Sequence, residues 1–222
     1  MNDIPVGTGA LLGTGRSADV YALSGPDEGR VLRRYRDGGD TEPEARIMRD
    51  LARRGYPVPR VARAAGPDLV MERLTGPTLL EAAAAGAVTA ETAGTLLADL
   101  LHRLGTTPWI HLDLHPGNVV LAPEGPVVID WRTAREGPPG LDGAMSALLL
   151  AEAALSPAPY AEGARTALTT LLTHLATPVT PYVPEATTLR AADPNLSDEE
   201  RARTATAGHL VTTLATHPEP AT

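Results

Sequence analysis

At 222 residues and 43% hydrophobic composition, the chain suffices for one domain, or for two lobes sharing a cleft, with a real core. A formal net charge of −8 argues against generic binding to nucleic acid, and the absence of cysteine excludes disulfides and thiolate metal sites and fits a reducing, cytoplasmic setting. Lysine is missing too: all 19 basic residues are arginine, which excludes a Schiff base, a lysine general base and a lysine ammonium on a phosphate. Phe is absent, so Leu, Val and Ala must build the core. The start, MNDIPVGTGA, has no basic stretch followed by an apolar run, and no signal peptide is expected. The longest apolar helical stretch, AMSALLLAEAAL, is interrupted by Glu152 and is too short to span a bilayer, so no membrane partner is expected.

In chain order, GALLGTGRSADVYAL places apolar residues on both sides of a glycine-rich centre, and RVLRRYR reads as a short strand after the turn signal GPDEG. DTEPEARIMRDLARRG predicts a helix. Thr41 can cap it, Pro43 suits its first turn, Ile47, Met48 and Leu51 form its apolar stripe, and Gly55 can end it. YPVPRV is held extended by its prolines, and DLVMERL is a short strand before the break TGPT. The boundary falls near Glu72 to Pro77 and divides the chain into residues 1–74 and 75–222. TAETAGTLLADLLHRLG predicts a helix capped by Thr89, carrying Leu96, Leu97, Leu100, Leu101 and Leu104, and stopping at Gly105. NVVLA and VVID are two short strands around PEGP, and from Leu141 onward the pattern is mostly helical. Ser197 and Glu200 form a capping box, TPVTPYVP is a proline-rich connector, and THPEPAT is a frayed tail.

Three stretches carry chemistry. Gly13, Gly15 and Ala18 stand at G-x-G-x-x-A spacing with Val20 beyond, a pattern that lets backbone approach phosphates but that a plain glycine-rich turn also explains. In HLDLHPGN, Asp113 can accept a proton from an attacking hydroxyl, Asn118 offers a hard oxygen to Mg²⁺, and His111 can brace the loop. His111 and His115 at i, i+4 spacing also evoke a zinc pair, but Pro116 and Gly117 oppose the helix such a pair needs. In VVIDW, Asp130 ends an apolar strand, where it serves as a metal ligand or caps a turn. Two carboxylates and an asparagine suit phosphoryl transfer with Mg²⁺ better than zinc hydrolysis.

Read in order, these motifs resemble the protein-kinase-like set, and HLDLHPGNVV…VVIDW is closest to the aminoglycoside phosphotransferase family, which includes the choline and homoserine kinases. Those proteins carry H-G-D-x-H-x-x-N followed by D-W or D-F. The resemblance spans roughly residues 10–150 and implies an α+β, protein-kinase-like two-lobe fold. The small, mainly β N-lobe would be residues 1–74, with the glycine-rich loop and one helix. The mainly helical C-lobe would be 75–222, with the catalytic loop.

The resemblance also assigns roles. Asp113 becomes the catalytic base or hydroxyl-orienting residue, and Asn118 and Asp130 become Mg²⁺ ligands. Gly13, Gly15, Ser17, Ala18 and Val20 belong to the nucleotide lid, and Glu72 and Leu74 to the hinge that receives the base of ATP or GTP. Glu44 pairs with the phosphate-binding cation, Asp142 steadies the catalytic segment unless it is simply an N-cap, and His111 and His115 support the loop. The family's strand lysine must here be an arginine, Arg33 first and Arg34 second. The third glycine is Ala18, and no A-P-E follows the D-W pair, which argues against a protein kinase. The expected activity is transfer of a γ-phosphate to a small-molecule hydroxyl. The alternative is a nucleotide-binding pseudokinase that acts as a regulatory module. The acidic charge is compatible with a cationic acceptor, although DEE at 198–200 also reads as a solvated helix start.

Overall fold

A computed structural model of the chain describes residues 8–15, 17–194 and 196–216. Within it the chain divides into two compact units, one of residues up to Gly76 together with 120–132, the other of 77–119 together with the remainder. The linear division at 74/75 therefore misses one return of the chain. The hairpin that ends in VVIDW packs with the first unit, where the Val128 N–H donates to the Pro57 carbonyl at 2.9 Å.

The first unit is built on a five-stranded antiparallel sheet of β1 (Thr8–Thr14), β2 (Ala18–Leu23), β3 (Arg30–Tyr35), β4 (Val61–Ala65) and β5 (Asp68–Glu72), in the order β1-β2-β3-β5-β4. Strand β3 is central, and Leu32 on it packs with Leu23 and Val70. Helix α1 (Glu42–Arg53) buries Ala45, Ile47, Met48 and Leu51, the stripe its spacing predicts. Its N-terminus differs from expectation. Thr41 occupies the N-cap position, but its hydroxyl donates to the carbonyls of Gly66 and Asp68, and Asp40 instead accepts the Glu42 N–H. Thr41 is fully buried, and the carbonyls of the β4–β5 turn and the start of β5 out-compete the helix for its hydroxyl. Gly55 stops the helix at φ +76°. After β5, Gly76 adopts φ +121°, and a Cβ there would collide with the Leu121 carbonyl oxygen, so only glycine fits.

In the second unit, α2 (Leu79–Ala84) starts at a full capping box between Thr78 and Glu81, and α3 (Ala90–Leu104) starts at Thr89, whose hydroxyl accepts the Thr92 N–H. A two-residue strand β6 (Trp109–Ile110) leads to the HLDLHPGN loop. Strands β7 (Val119–Ala122) and β8 (Gly125–Val128) form the hairpin already mentioned, and β9 (Arg135–Glu136) returns to pair with β6. Helices α4 (Pro139–Ala154), α5 (Ala161–His174), α6 (Val183–Ala191) and α7 (Asp198–Thr216) complete the unit. Helix α4 buries twelve of its sixteen residues, so it is the hub of the bundle. Helix α3 approaches α5 through Gly94, where a Cβ would lie 2.5 Å from the Ala167 carbonyl oxygen.

The connector at 177–184 is more ordered than its prolines suggest: Thr180–Tyr182 forms a 3-10 turn and α6 follows directly. The capping box at 197–200 is present, with both reciprocal bonds made. The first seven residues, where no signal peptide is expected, Arg16 of the glycine-rich turn, and the tail from residue 217 lie outside the described residues. Among the described residues no helix is long and apolar enough to cross a membrane.

Candidate active site

The candidate residues sit in two separately built groups, one in each unit. In the second unit, β6 delivers the chain into a loop that is fastened from beneath. Asp142, in the first turn of α4, accepts the backbone N–H of His111 at 3.0 Å and of Leu112 at 2.7 Å. It is not the N-cap, a position held by Pro138. Burial pushes the Asp142 carboxyl up to about 6, against the opposing pull of those two N–H groups.

Leu112 takes φ +62°, a left-handed conformation that costs a branched residue about 1–2 kcal/mol. It occupies the glycine position of the H-G-D pattern. The strained turn brings Asp113 back, so that its N–H donates to His111 Nδ1 at 3.2 Å. Asn118 Nδ2 then donates to the Asp113 carbonyl at 2.9 Å and to its carboxylate at 3.1 Å. The Asp–Asn pair that the sequence spacing suggested is thus joined in one loop.

Pro116–Asn118 forms a 3-10 turn rather than a helix, and His115 Nδ1 accepts the Gly117 N–H at 3.1 Å. Both imidazoles therefore close turns on Nδ1. Neither stands on the helical face that a zinc pair requires.

In the first unit, Arg33 projects from the central strand and is 5% exposed. One guanidinium nitrogen donates to Glu44 Oε1 and another to Asp130 Oδ1. Glu44 also accepts the Tyr35 hydroxyl and, at 3.0 Å, the Trp131 N–H. Burial works against the Arg33 charge, but Glu44 and Asp130 outweigh it and hold the guanidinium more firmly protonated than usual. Burial raises the Glu44 carboxyl, and Arg33 and Tyr35 pull the other way. Arg34 points elsewhere, onto Asp68 at 2.5 and 2.7 Å, so Arg33 is the arginine that faces Glu44. Asp130 takes φ +64°, a second non-glycine residue in the left-handed region. The strain at Leu112 and at Asp130 marks both segments as over-determined by their surroundings.

The glycine-rich segment is the turn between β1 and β2, closed by the Gly15 N–H on the Ala18 carbonyl at 2.9 Å. Ala18 is buried, whereas a Cβ on Gly13 would meet nothing within 4 Å, so the turn is open above that residue. Gly13 and Gly15 are not among the positive-φ glycines, and the turn does not need them for their φ. Val20 is half-buried on β2 and pairs across to Arg33. At the end of β5, the Glu72 N–H is spent on the Arg60 carbonyl, and its carboxylate accepts the Arg60 N–H. Leu74 follows outside any strand.

Asn118 Oδ1 and Asp130 Oδ2 are hard oxygens that accept none of the hydrogen bonds described for these side chains, and hard oxygens are what Mg²⁺ takes. No group of three or more His, Cys, Asp or Glu side chains among the described residues is clustered to hold a metal. A Mg²⁺ that draws most of its shell from phosphate and water needs no such cluster.

Sequence reasoning did not reach Tyr35, Trp131 or Arg132. Tyr35 shares a strand face with Arg33 at i+2, a legible signal. Trp131 was visible as part of the D-W pair, but not its burial against Tyr56 or its N–H on Glu44. Arg132 carries no local signal at all.

A sequence profile of the phosphotransferase enzyme family, APH, matches residues 8–108 and 102–176. Among curated proteins none matches significantly. Among solved structures, amicoumacin kinase hAmiN, solved with AMP-PNP, Ca²⁺ and Ami, is similar with a TM-score of 0.57 at 12% identity, over 94% of this chain and 88% of its own. Aminoglycoside phosphotransferase APH(2'')-Ib, solved with ADP, is similar with a TM-score of 0.57 at 12% identity, over 96% of this chain and 95% of its own. Likeness at that identity is one of fold, and the fold is the protein-kinase-like one, α+β with a mainly β unit and a mainly helical unit. The matched residues run from β1 to just past α5, well over half of the sequence, and the chain belongs to the phosphotransferase enzyme family.

Proposed function

We propose that this protein transfers the γ-phosphoryl group of ATP or GTP to a hydroxyl of a small molecule, with Mg²⁺ as the metal. The supporting observation is the Asp113 loop: a carboxylate held by Asn118 and fixed from beneath through two backbone N–H bonds to buried Asp142. Such anchoring suits a group that must meet an acceptor hydroxyl at a set position.

In this reading Asp113 accepts the hydroxyl proton as the acceptor oxygen bonds to the γ-phosphorus and the bond to the β-phosphate oxygen breaks, releasing the nucleoside diphosphate. Asn118 and Asp130 would hold the metal, which supplies charge neutralisation on the phosphates. Arg33, oriented by Glu44, grips phosphate. The β1–β2 turn at Gly13–Ala18 covers the phosphates, and the Leu74 backbone receives the base, with Glu72 in the same segment. His111 and His115 keep the loop in shape. The net charge of −8 favours a cationic acceptor.

A second reading is favoured by one observation. Arg33 already engages Asp130, the intended metal ligand, and a chain with that oxygen neutralised can bind nucleotide without turning it over. Thermal melting with ATP, with and without Mg²⁺, beside Asp130→Asn tests the nucleotide and metal sites. The proposal expects a Mg²⁺-dependent rise that the variant loses. No shift at saturating ATP or GTP sinks it. A rise without any acceptor-dependent ADP release selects the binding module.

A further inference from the structure

Arg132 lies two residues after Asp130 and makes three contacts of different kinds. Its Nη1 reaches the Ser17 carbonyl at 3.4 Å, its Nη2 pairs with Asp37, and its guanidinium stacks 4.1 Å from the centre of the Tyr35 ring. All three partners belong to the same unit as Arg132. The Ser17 carbonyl is held a second time by the Arg36 N–H at 3.1 Å. Tyr35 passes the connection onward, because its hydroxyl donates to Glu44, which itself holds Arg33.

The β1–β2 turn is otherwise closed by the Gly15 N–H on the Ala18 carbonyl and flanked by the Arg36–Asp19 pair. Strand β1 is an edge strand, and Leu11 and Leu12 on it are 55% and 44% exposed. A loop already held in its binding geometry spares a ligand the entropy of ordering it. Arg132 is part-exposed, so its charge attraction to Asp37 is weakened by solvent. Its value lies in geometry. A planar fork that donates along two directions and stacks on its face defines a position, which a lysine ammonium does not.

We propose that Arg132 is a positioning residue that holds the β1–β2 turn ready for nucleotide phosphates and ties that turn to the Asp130 segment. The proposal rests on the phosphotransferase reading for its ligand, while the tether itself is a property of the free protein.

The test uses the full chain and its Arg132→Ala, Arg132→Lys and Asp37→Asn variants, with ADP and adenosine as probes in calorimetric titrations and hydrogen exchange read on the free proteins. Arg132→Ala should weaken ADP by about ten-fold or more but adenosine by no more than about two-fold, because only phosphates meet the turn. Amides of the turn at 13–18 should exchange faster, and those at 111–118 should not change. Arg132→Lys should restore part of the ADP affinity, and Asp37→Asn, which removes one of three contacts, should lose less than Arg132→Ala. Unchanged exchange at the turn in Arg132→Ala overturns the tether. Equal weakening of ADP and adenosine overturns the phosphate role. A wild-type protein that binds neither probe overturns the phosphotransferase reading and the phosphate role with it, and the exchange data then decide the tether separately.

Discussion

Arg33 and Asp130 form a direct ion pair, made with the guanidinium nitrogen that Glu44 leaves over. A buried cation thus serves two carboxylates at once, which the two guanidinium nitrogens of an arginine fork make possible. Arg33→Ala leaves Glu44, 4% exposed, without its countercharge and should cost about 3–5 kcal/mol of stability. Arg33→Lys keeps one charge but not the fork, and should cost less, about 1–2 kcal/mol. Denaturant melts of the two variants check this. Equal losses contradict a guanidinium shared between the two acids.

Leu112 offers a test in which the usual order of residues inverts. At an ordinary position, alanine is more stable than glycine by about 0.4–1 kcal/mol. At φ +62° the left-handed strain reverses the preference. Leu112→Gly should therefore be more stable than Leu112→Ala by about 1 kcal/mol, read by thermal or denaturant unfolding. Alanine ranking above glycine would show that the loop relaxes rather than storing strain.

Asp142 gives a pH dependence of unusual sign. Its folded value, raised to about 6 by burial, lies above the unfolded value of about 3.9. Between those values the folded state binds a proton that the unfolded state has released. Stability carried by this group is therefore present below about pH 4 and lost as pH rises through 6, by about 3 kcal/mol in all. Asp142→Asn should remove that slope. The measurement is the difference in unfolding free energy between wild type and variant from pH 4 to 7. A difference independent of pH contradicts the buried, raised carboxyl.

Glu152 interrupts an apolar helix because it is needed there. It accepts from Arg190 on α6 at 3.0 Å and from the Thr204 hydroxyl on α7 at 2.7 Å, and it is 9% exposed. Glu152→Ala removes the nearer of two carboxylates from a part-buried arginine that keeps Asp193 at 3.4 Å, and should cost about 2–3 kcal/mol, whereas Glu152→Gln retains an acceptor and should cost less. Urea unfolding of both variants reads the order. A loss under about 1 kcal/mol for alanine would mean that the three helices do not depend on this contact.

Local periodicity and capping made much of this fold legible. The apolar stripe of α1, the Thr89 cap of α3 and the Ser197–Glu200 box each rest on interactions within one or two turns. Strands β6 and β9 were invisible because two residues carry no period, and their pairing joins positions 109 and 136. The box at Thr78 and Glu81 stood in the sequence as T-x-x-E and went unread beside the prolines and glycines that precede it. In the site, Asp113 and Asn118 were legible because the loop is local. Arg33, placed before Arg34 in the sequence reading, is the one that meets Glu44, but what decides between them is which strand face meets α1, and that is not local. Arg132 was out of reach, because its partners lie 95 and 115 residues away in the chain.

Phosphoryl transfer is proposed to pass through Asp113. Its direct measurement is the passage of labelled γ-phosphate from ATP or GTP to a panel of hydroxylated cationic small molecules, with Mg²⁺, in the wild type and in Asp113→Ala. A phosphorylated acceptor is expected in the wild type and its loss in the variant, at a melting temperature within a few degrees. Transfer that persists at the wild-type rate in Asp113→Ala would contradict the assignment. Tight nucleotide binding with no acceptor phosphorylated would contradict the enzyme and leave the binding module.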